Sequence, residues 1–224
     1  RLPKLRMIAL TGGRTWTMDF DTLNARRIPV CHTGGENARA ATAEIALGLL
    51  LSAARWINRG DASIRAGGFQ AGVPSGDVLD GKTLGIIGLG KIGSRMARYG
   101  AALGMQVLAW SANLTVEKAA AAGARWVDKA TLLAQSDAIS LHLVLSERTR
   151  GVLGAQDLAL MKPGAILINT SRGPLVDEAA LVERLKTGKL IAGLDVFAQE
   201  PLPPDHPLRS LPNTVLTPHL GYCA

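Results

Sequence analysis

Five short apolar runs with helical patterns lying between them constrain this chain more than any other feature. The runs are Thr83–Ile87, Gln106–Trp110, Ala138–Leu141, Ala165–Ile168 and Ile191–Leu194. Each is nearly continuous in apolar residues rather than alternating, so each reads as a strand buried on both faces. Helical patterns at Ile92–Leu103, Thr115–Ala122, Lys129–Gln135, Ala155–Met161 and Glu178–Lys186 supply the crossovers, with Gly104, Gly123 and Gly188 as stops. This alternation predicts an α/β fold with a doubly wound parallel sheet.

Three further segments lie outside that block. Residues 1–30 form a smaller unit, with short strands at Arg6–Leu10 and Pro29–Val30 flanking a helix-like Asp21–Arg27. Asn37–Trp56 reads as one long helix with Ile45, Leu49 and Leu50 on a stripe, too apolar for a lone surface helix and expected to be buried, with a subunit contact as one way to bury it. Thr214–Thr217 is a candidate last strand.

Composition narrows the classes. Apolar residues make up 47% and charged residues 19% of 224, which excludes a disordered or collagen-like chain. Aromatic residues are only 4%, so the core must come from Ala, Leu, Ile and Val. The apolar stretch Ile45–Leu51 falls far short of the roughly 20 residues that cross a bilayer, and no membrane partner is expected. Two cysteines, Cys31 and Cys223, make no disulfide framework and have no metal-ligand spacing; no metal is expected, and a cytoplasmic location is the default. The net charge of +7 comes from scattered Lys and Arg, a pattern that fits attraction of small anions rather than nucleic acid. The chain opens on Arg1 and not Met, so an upstream segment is expected.

Gly88-Leu89-Gly90-Lys91-Ile92-Gly93 is a G-x-G-x-x-G placed directly after the Thr83–Ile87 strand and at the head of the next helix. In that context the first glycine allows a tight turn, the second lets a pyrophosphate approach the backbone, and the third allows close helix packing. The helix N-terminus supplies the positive end of a dipole. The acid that accepts ribose hydroxyls about 20 residues further on is missing: Ser111 stands in its place, and neither Ala112 nor Asn113 offers a cation for a 2′-phosphate. The cofactor is therefore NAD or NADP, with the preference open.

Three longer stretches carry a family resemblance. Met161-Lys162-Pro163-Gly164-Ala165-Ile166-Leu167-Ile168-Asn169-Thr170-Ser171-Arg172-Gly173-Pro174-Leu175-Val176-Asp177 closely resembles the signature of the D-isomer-specific 2-hydroxyacid dehydrogenases, which are NAD(P)-dependent. Gly193–Leu202 and Thr217-Pro218-His219-Leu220-Gly221 are similar to that family's next two motifs, in the same order. The resemblance implies a Rossmann-like dinucleotide-binding domain over 35–218, a remnant of a flavodoxin-like substrate domain over 1–34, and the start of a return segment at 219–224. It also implies that the chain is partial.

The same resemblance implies an oxidoreductase that moves a hydride between NAD(P)H and a 2-oxo acid or D-2-hydroxy acid. Arg172 would hold the substrate carboxylate and carbonyl, Glu200 would orient the histidine, and His219 would exchange the proton. The chemistry suits these residue types. Arg offers a planar fork for a carboxylate, and an acid near the carbonyl oxygen answers the charge that hydride arrival creates there. A carboxylate on one imidazole nitrogen fixes the tautomer. Cofactor contacts carry over onto Gly88, Gly90, Gly93, Thr33, Lys91, Ile92, Ser111, Leu143, Thr170, Ser171 and Asp195, the last as acceptor of a nicotinamide carboxamide or else as a strand-end cap. Thr11-Gly12-Gly13-Arg14 is similar to the loop whose amides receive the substrate carboxylate. Arg14 departs from the glycine common there, and either adds charge to the pocket or points to solvent. Val144 replaces a common proline, which alters loop stiffness rather than chemistry. A homodimer is expected. The competing class is a dinucleotide-sensing interaction protein, corepressor-like, on the same fold.

Overall fold

The apolar runs become strands almost residue for residue in a computed structural model that describes residues 2–10, 18–32 and 36–223. In chain order, β1 (Ile8–Leu10), α1 (Phe20–Ala25) and β2 (Val30–His32) form the small N-terminal unit, whose two strands pair in parallel. They are followed by α2 (Glu36–Arg55), α3 (Ile57–Arg65), β3 (Thr83–Ile87), α4 (Lys91–Ala102), β4 (Gln106–Trp110), α5 (Val116–Ala121) and β5 (Arg125–Trp126). The second half runs α6 (Lys129–Gln135), β6 (Ala138–Leu141), α7 (Ala155–Leu160), β7 (Ala165–Asn169), α8 (Glu178–Lys186), β8 (Leu190–Leu194) and β9 (Thr214–Leu216). Strands β3 to β9 make one parallel sheet in the order β5-β4-β3-β6-β7-β8-β9. The chain leaves β3 toward β4 on one side and returns to β6 on the other, which opens a crevice at the carboxyl ends of β3 and β6.

Strand periodicity divides the core between two helical layers. Leu84 and Ile86 of β3, with Ile166 and Ile168 of β7, pack among residues of α2 and α4. The intervening Ile87, Leu167, Ile139 and Leu141 face α6, α7 and α8. Helix ends carry local signals. Asp128 caps α6, accepting from the Thr131 hydroxyl at 2.5 Å and the Thr131 N–H at 2.9 Å, bonds that hold its carboxyl below the usual carboxylate range. Gly104, Gly123 and Gly188 take φ of 75°, 74° and 69° at the expected stops.

The long apolar helix differs from its sequence reading in cause and extent. Its character is accounted for within the chain, because Ala43, Ala46, Leu50 and Ala53 are fully buried and the helix packs on α4 and the β7–β9 edge of the sheet. Gly193 makes room for it: a Cβ there would come within 3.0 Å of Leu49 Cβ and 2.7 Å of Ile168 Cδ1. The helix stops one residue short, where Trp56 takes the left-handed conformation (φ 54°, ψ 36°), and the chain bends by 70° into α3, a helix the sequence reading did not include. The two-residue edge strand β5 was likewise not expected. Among the described residues no single helix is long and apolar enough to cross a membrane.

Candidate active site

The glycine motif closes the turn from β3 into α4. Gly88 has φ +101°, its N–H donates to Trp110 O at 2.9 Å, and a Cβ on it would come 2.6 Å from His142 O. A Cβ on Gly93 would run into the Gly88 carbonyl oxygen, so α4 can lie this close to β3 only with glycine there. At Gly90 the outcome is the reverse, because a Cβ would meet nothing within 4 Å. That open backbone lies at the head of α4, where no side chain caps the helix and the first turn holds no acid. Uncapped N–H groups, a positive dipole end and an unobstructed backbone fit a dinucleotide pyrophosphate.

Beside this turn runs a cleft of about 660 Å³. Ile92 and Leu143 line it near α4, Thr170, Ser171 and Arg172 line it from the loop after β7, and His219, Gly221 and Tyr222 close its far end. A second cavity of about 570 Å³, walled by Phe197, Leu202 and Leu216, shares His219 and Tyr222 with it and reaches Glu200. His219 Nδ1 lies 2.6 Å from Glu200 Oε2, and the Glu200 Oε1 accepts the Phe197 N–H at 3.0 Å. The imidazole also meets the Tyr222 ring edge to face, with centroids 5.3 Å apart. With Nδ1 turned to a carboxylate, Nε2 is the nitrogen left to exchange a proton with a bound molecule.

Arg172 is exposed and is set by a buried asparagine. Asn169, 1% exposed at the end of β7, accepts the Ser171 N–H at 3.0 Å and donates to Arg172 O at 2.9 Å. The Ser171 hydroxyl donates to Leu141 O at 2.8 Å, tying the turn to β6. One guanidinium N–H donates to Ser171 O at 2.6 Å; among the described residues the rest of the fork has no partner. Gly173 brings this turn against the segment that carries Glu200, since a Cβ there would collide with the Phe197 carbonyl group and the Ala198 nitrogen.

Asp195 is fully buried, and its carboxylate anchors the loop that carries His219. Oδ1 accepts from the Thr217 hydroxyl at 2.6 Å and the Leu220 N–H at 2.7 Å, and Oδ2 accepts the Gly221 N–H at 2.8 Å. The geometry is that of a strand-end cap on a large scale, bracketing His219 from both sides. His142, on the cleft wall after β6, pairs Nε2 with Ser140 Oγ at 2.8 Å while its Nδ1 is shielded and unpartnered among the described residues. Burial pushes its pKa down to about 4, so the ring is neutral near pH 7.

Arg172, Glu200 and His219 are thus brought to one region, with Ile92, Leu143, Thr170 and Ser171 on the same cleft. Ser111 follows Trp110, whose carbonyl holds the glycine turn, and so stands on the β4 side of it. Lys91 opens α4 and is exposed. Gly12, Gly13, Arg14 and Thr33 lie outside the described residues. Asn169, His142 and Tyr222 were not singled out from the sequence. For Asn169 a signal was present, a polar residue closing an apolar strand three positions before the arginine; for Tyr222 the contact with His219 depends on the fold of the loop.

Comparison with known proteins bears on the same residues. Residues 47–221 match the family model described as "D-isomer specific 2-hydroxyacid dehydrogenase, NAD binding domain". The chain is 41% identical over 218 residues to D-3-phosphoglycerate dehydrogenase of Archaeoglobus fulgidus, a match that covers 97% of this chain and 41% of that protein. It is 42% identical over 227 residues to glyoxylate reductase of Thermococcus litoralis, covering 98% of this chain and 68% of that one. In structure it is similar to phosphoglycerate oxidoreductase from Vibrio cholerae, with a TM-score of 0.93, 38% identity and coverage of 100% of this chain and 72% of the other.

Proposed function

Since this chain belongs to the D-isomer specific 2-hydroxyacid dehydrogenase family and carries its NAD-binding domain, we propose that it interconverts a 2-oxo acid and a D-2-hydroxy acid. When bound, the dinucleotide would supply or accept the hydride at the substrate's second carbon. The observation that carries the reading is the 2.6 Å contact between His219 Nδ1 and Glu200 Oε2 at the edge of the cleft that Arg172 also lines. In reduction, His219 Nε2–H gives its proton to the carbonyl oxygen as negative charge develops there; in oxidation the neutral ring takes it back. Glu200 holds the Nδ1–H, which keeps the reacting nitrogen turned outward. The free part of the Arg172 fork binds the substrate carboxylate in two parallel bonds and steadies the carbonyl.

Gly88, Gly90 and Gly93 with the head of α4 hold the pyrophosphate, and Ile92, Leu143, Thr170 and Ser171 border the remaining length of the dinucleotide. Ser111, lacking a carboxylate, leaves room for a 2′-phosphate, so we assign tolerance of both NADH and NADPH. The chain spans about 41% of the length of its phosphoglycerate dehydrogenase relative, and the substrate side chain is left open. The test is oxidation of NADH and NADPH, followed by the loss of reduced-nicotinamide absorbance, against glyoxylate, hydroxypyruvate, pyruvate and longer 2-oxo acids. Turnover that disappears in Arg172→Ala and His219→Gln supports the assignment. Tight dinucleotide binding with no turnover of any oxo acid refutes it in favour of a dinucleotide sensor.

A further inference from the structure

Behind Glu200 stands a second glutamate–histidine pair that the reaction above does not use. Glu178, the first residue of α8, places Oε1 3.2 Å from His206 Nε2 and accepts the Ala198 N–H on Oε2 at 3.0 Å. His206 is held from its other side, where Nδ1 accepts the Leu208 N–H at 3.3 Å. That bond assigns the proton to Nε2 and aims it at Glu178. The neighbouring amide, Phe197 N–H, donates to Glu200 Oε1, and Glu200 Oε2 holds His219. Two carboxylates therefore clasp consecutive amides of one short segment, and the same segment packs against Gly173, next to Arg172. Both members of the second pair are shielded, at 19% exposure for His206 and 22% for Glu178.

We propose that Glu178, oriented by His206, is a positioning residue that sets Glu200 and, through it, the tautomer and direction of His219. This rests on the reading of His219 as the proton donor. Only a carboxylate suits the place. Ala198 N–H and His206 Nε2–H are both donors, so an amide can satisfy one with its oxygen but must turn its NH₂ toward the other. Glu178→Gln thus breaks one clasp at nearly constant volume.

The measurement is the ¹⁵N spectrum of the His219 ring in the unliganded chain, taken together with steady-state kinetics. For Glu178→Gln the Nδ1–H tautomer should give way to a mixture, and kcat should fall about tenfold while KM and the Kd for NADH stay within twofold. Adding His206→Gln to that variant presents an acceptor oxygen to the NH₂ of the amide side chain at position 178. The oxygen of that amide is then free for the Ala198 N–H, and most of both readouts should return. An unchanged His219 spectrum in Glu178→Gln overturns the proposal, whether or not the melting temperature moves. If no 2-oxo acid is turned over by the wild type, the catalytic reading fails by itself, and the ring spectrum still decides whether Glu178 sets His219.

Discussion

Replacing Asp195 with Asn tests the anchor beneath the histidine loop. The carboxylate takes three hydrogen bonds with no solvent exposure, two of them from the backbone amides of Leu220 and Gly221. An asparagine has one oxygen. If it replaces Oδ1, the Thr217 and Leu220 bonds survive and the NH₂ faces the Gly221 N–H; if it replaces Oδ2, Leu220 is abandoned instead. The Thr217 hydroxyl can rotate to suit either arrangement, but the two amides cannot. One buried donor is stranded in either case, at about 1.5–3 kcal/mol for a bond to a charged group. The surviving bonds also weaken as their acceptor becomes neutral. The sum is about 3 kcal/mol, or roughly 6–12 °C in Tm for a chain of this size. Urea unfolding at pH 7 with an unchanged m-value measures it. Amide exchange localises it, because Leu220 and Gly221 should then open locally and exchange faster than the Leu84–Ile87 amides, which speed up only by the global loss. A loss below about 1 kcal/mol with Leu220 and Gly221 still protected would falsify the anchoring role.

Other perturbations probe the remaining assignments. Arg172→Lys replaces the fork with a point charge, so kcat/KM for the oxo acid should fall well beyond threefold, a shift of ~0.65 kcal/mol, with dinucleotide affinity retained; a smaller loss would rule out the two-bond contact. Ser111→Asp should shift the NADH to NADPH affinity ratio toward NADH, since the carboxylate gains bonds to ribose hydroxyls worth roughly 1.5–3 kcal/mol and repels a 2′-phosphate; an unchanged ratio of dissociation constants removes Ser111 from that position. His142 is neutral in the fold down to about pH 4 but titrates near 6.5 when unfolded, so its share of stability is present above pH 6.5 and is lost as pH falls toward 4. Between pH 7.5 and 5 that loss is about 2 kcal/mol, and His142→Gln should flatten the urea-unfolding profile over that window by a similar amount. The homodimer expected from the sequence should sediment at twice the 23.5 kDa chain mass even though α2 is buried within the chain, and a lone 23.5 kDa species at micromolar concentration refutes it.

The parallel sheet was legible in the sequence because strands buried on both faces leave continuous apolar runs, and because glycine stops act within a few residues of the chain. The glycine turn was legible for the same local reason: Gly93 answers to the Gly88 carbonyl that β3 and α4 bring together, and Gly88 takes a φ of +101°, although the His142 carbonyl that also excludes a Cβ there comes from the distant end of β6. Arg172, Glu200 and His219 could be picked out only through motifs, since nothing local to any of them sets it apart from a solvated arginine, a turn glutamate or a loop histidine. Tertiary structure decided the rest. Glu200 and His219 are 19 positions apart, and their 2.6 Å contact follows from β8 and β9 lying side by side with Asp195 fastening the loop between residues 217 and 221. The apolar surface of α2, ambiguous as a pattern between a subunit contact and an internal one, was resolved by a glycine in β8 that admits Leu49. The end of α2 was legible to within one residue, but α3 beyond Trp56 was not expected, because a single left-handed residue lets a second helix set off at a sharp angle directly after the first. The Glu178–His206 pair was invisible for a related reason. Its members are 28 positions apart, and each is meaningful only against a backbone amide that long-range packing brings between α8 and the segment before Glu200.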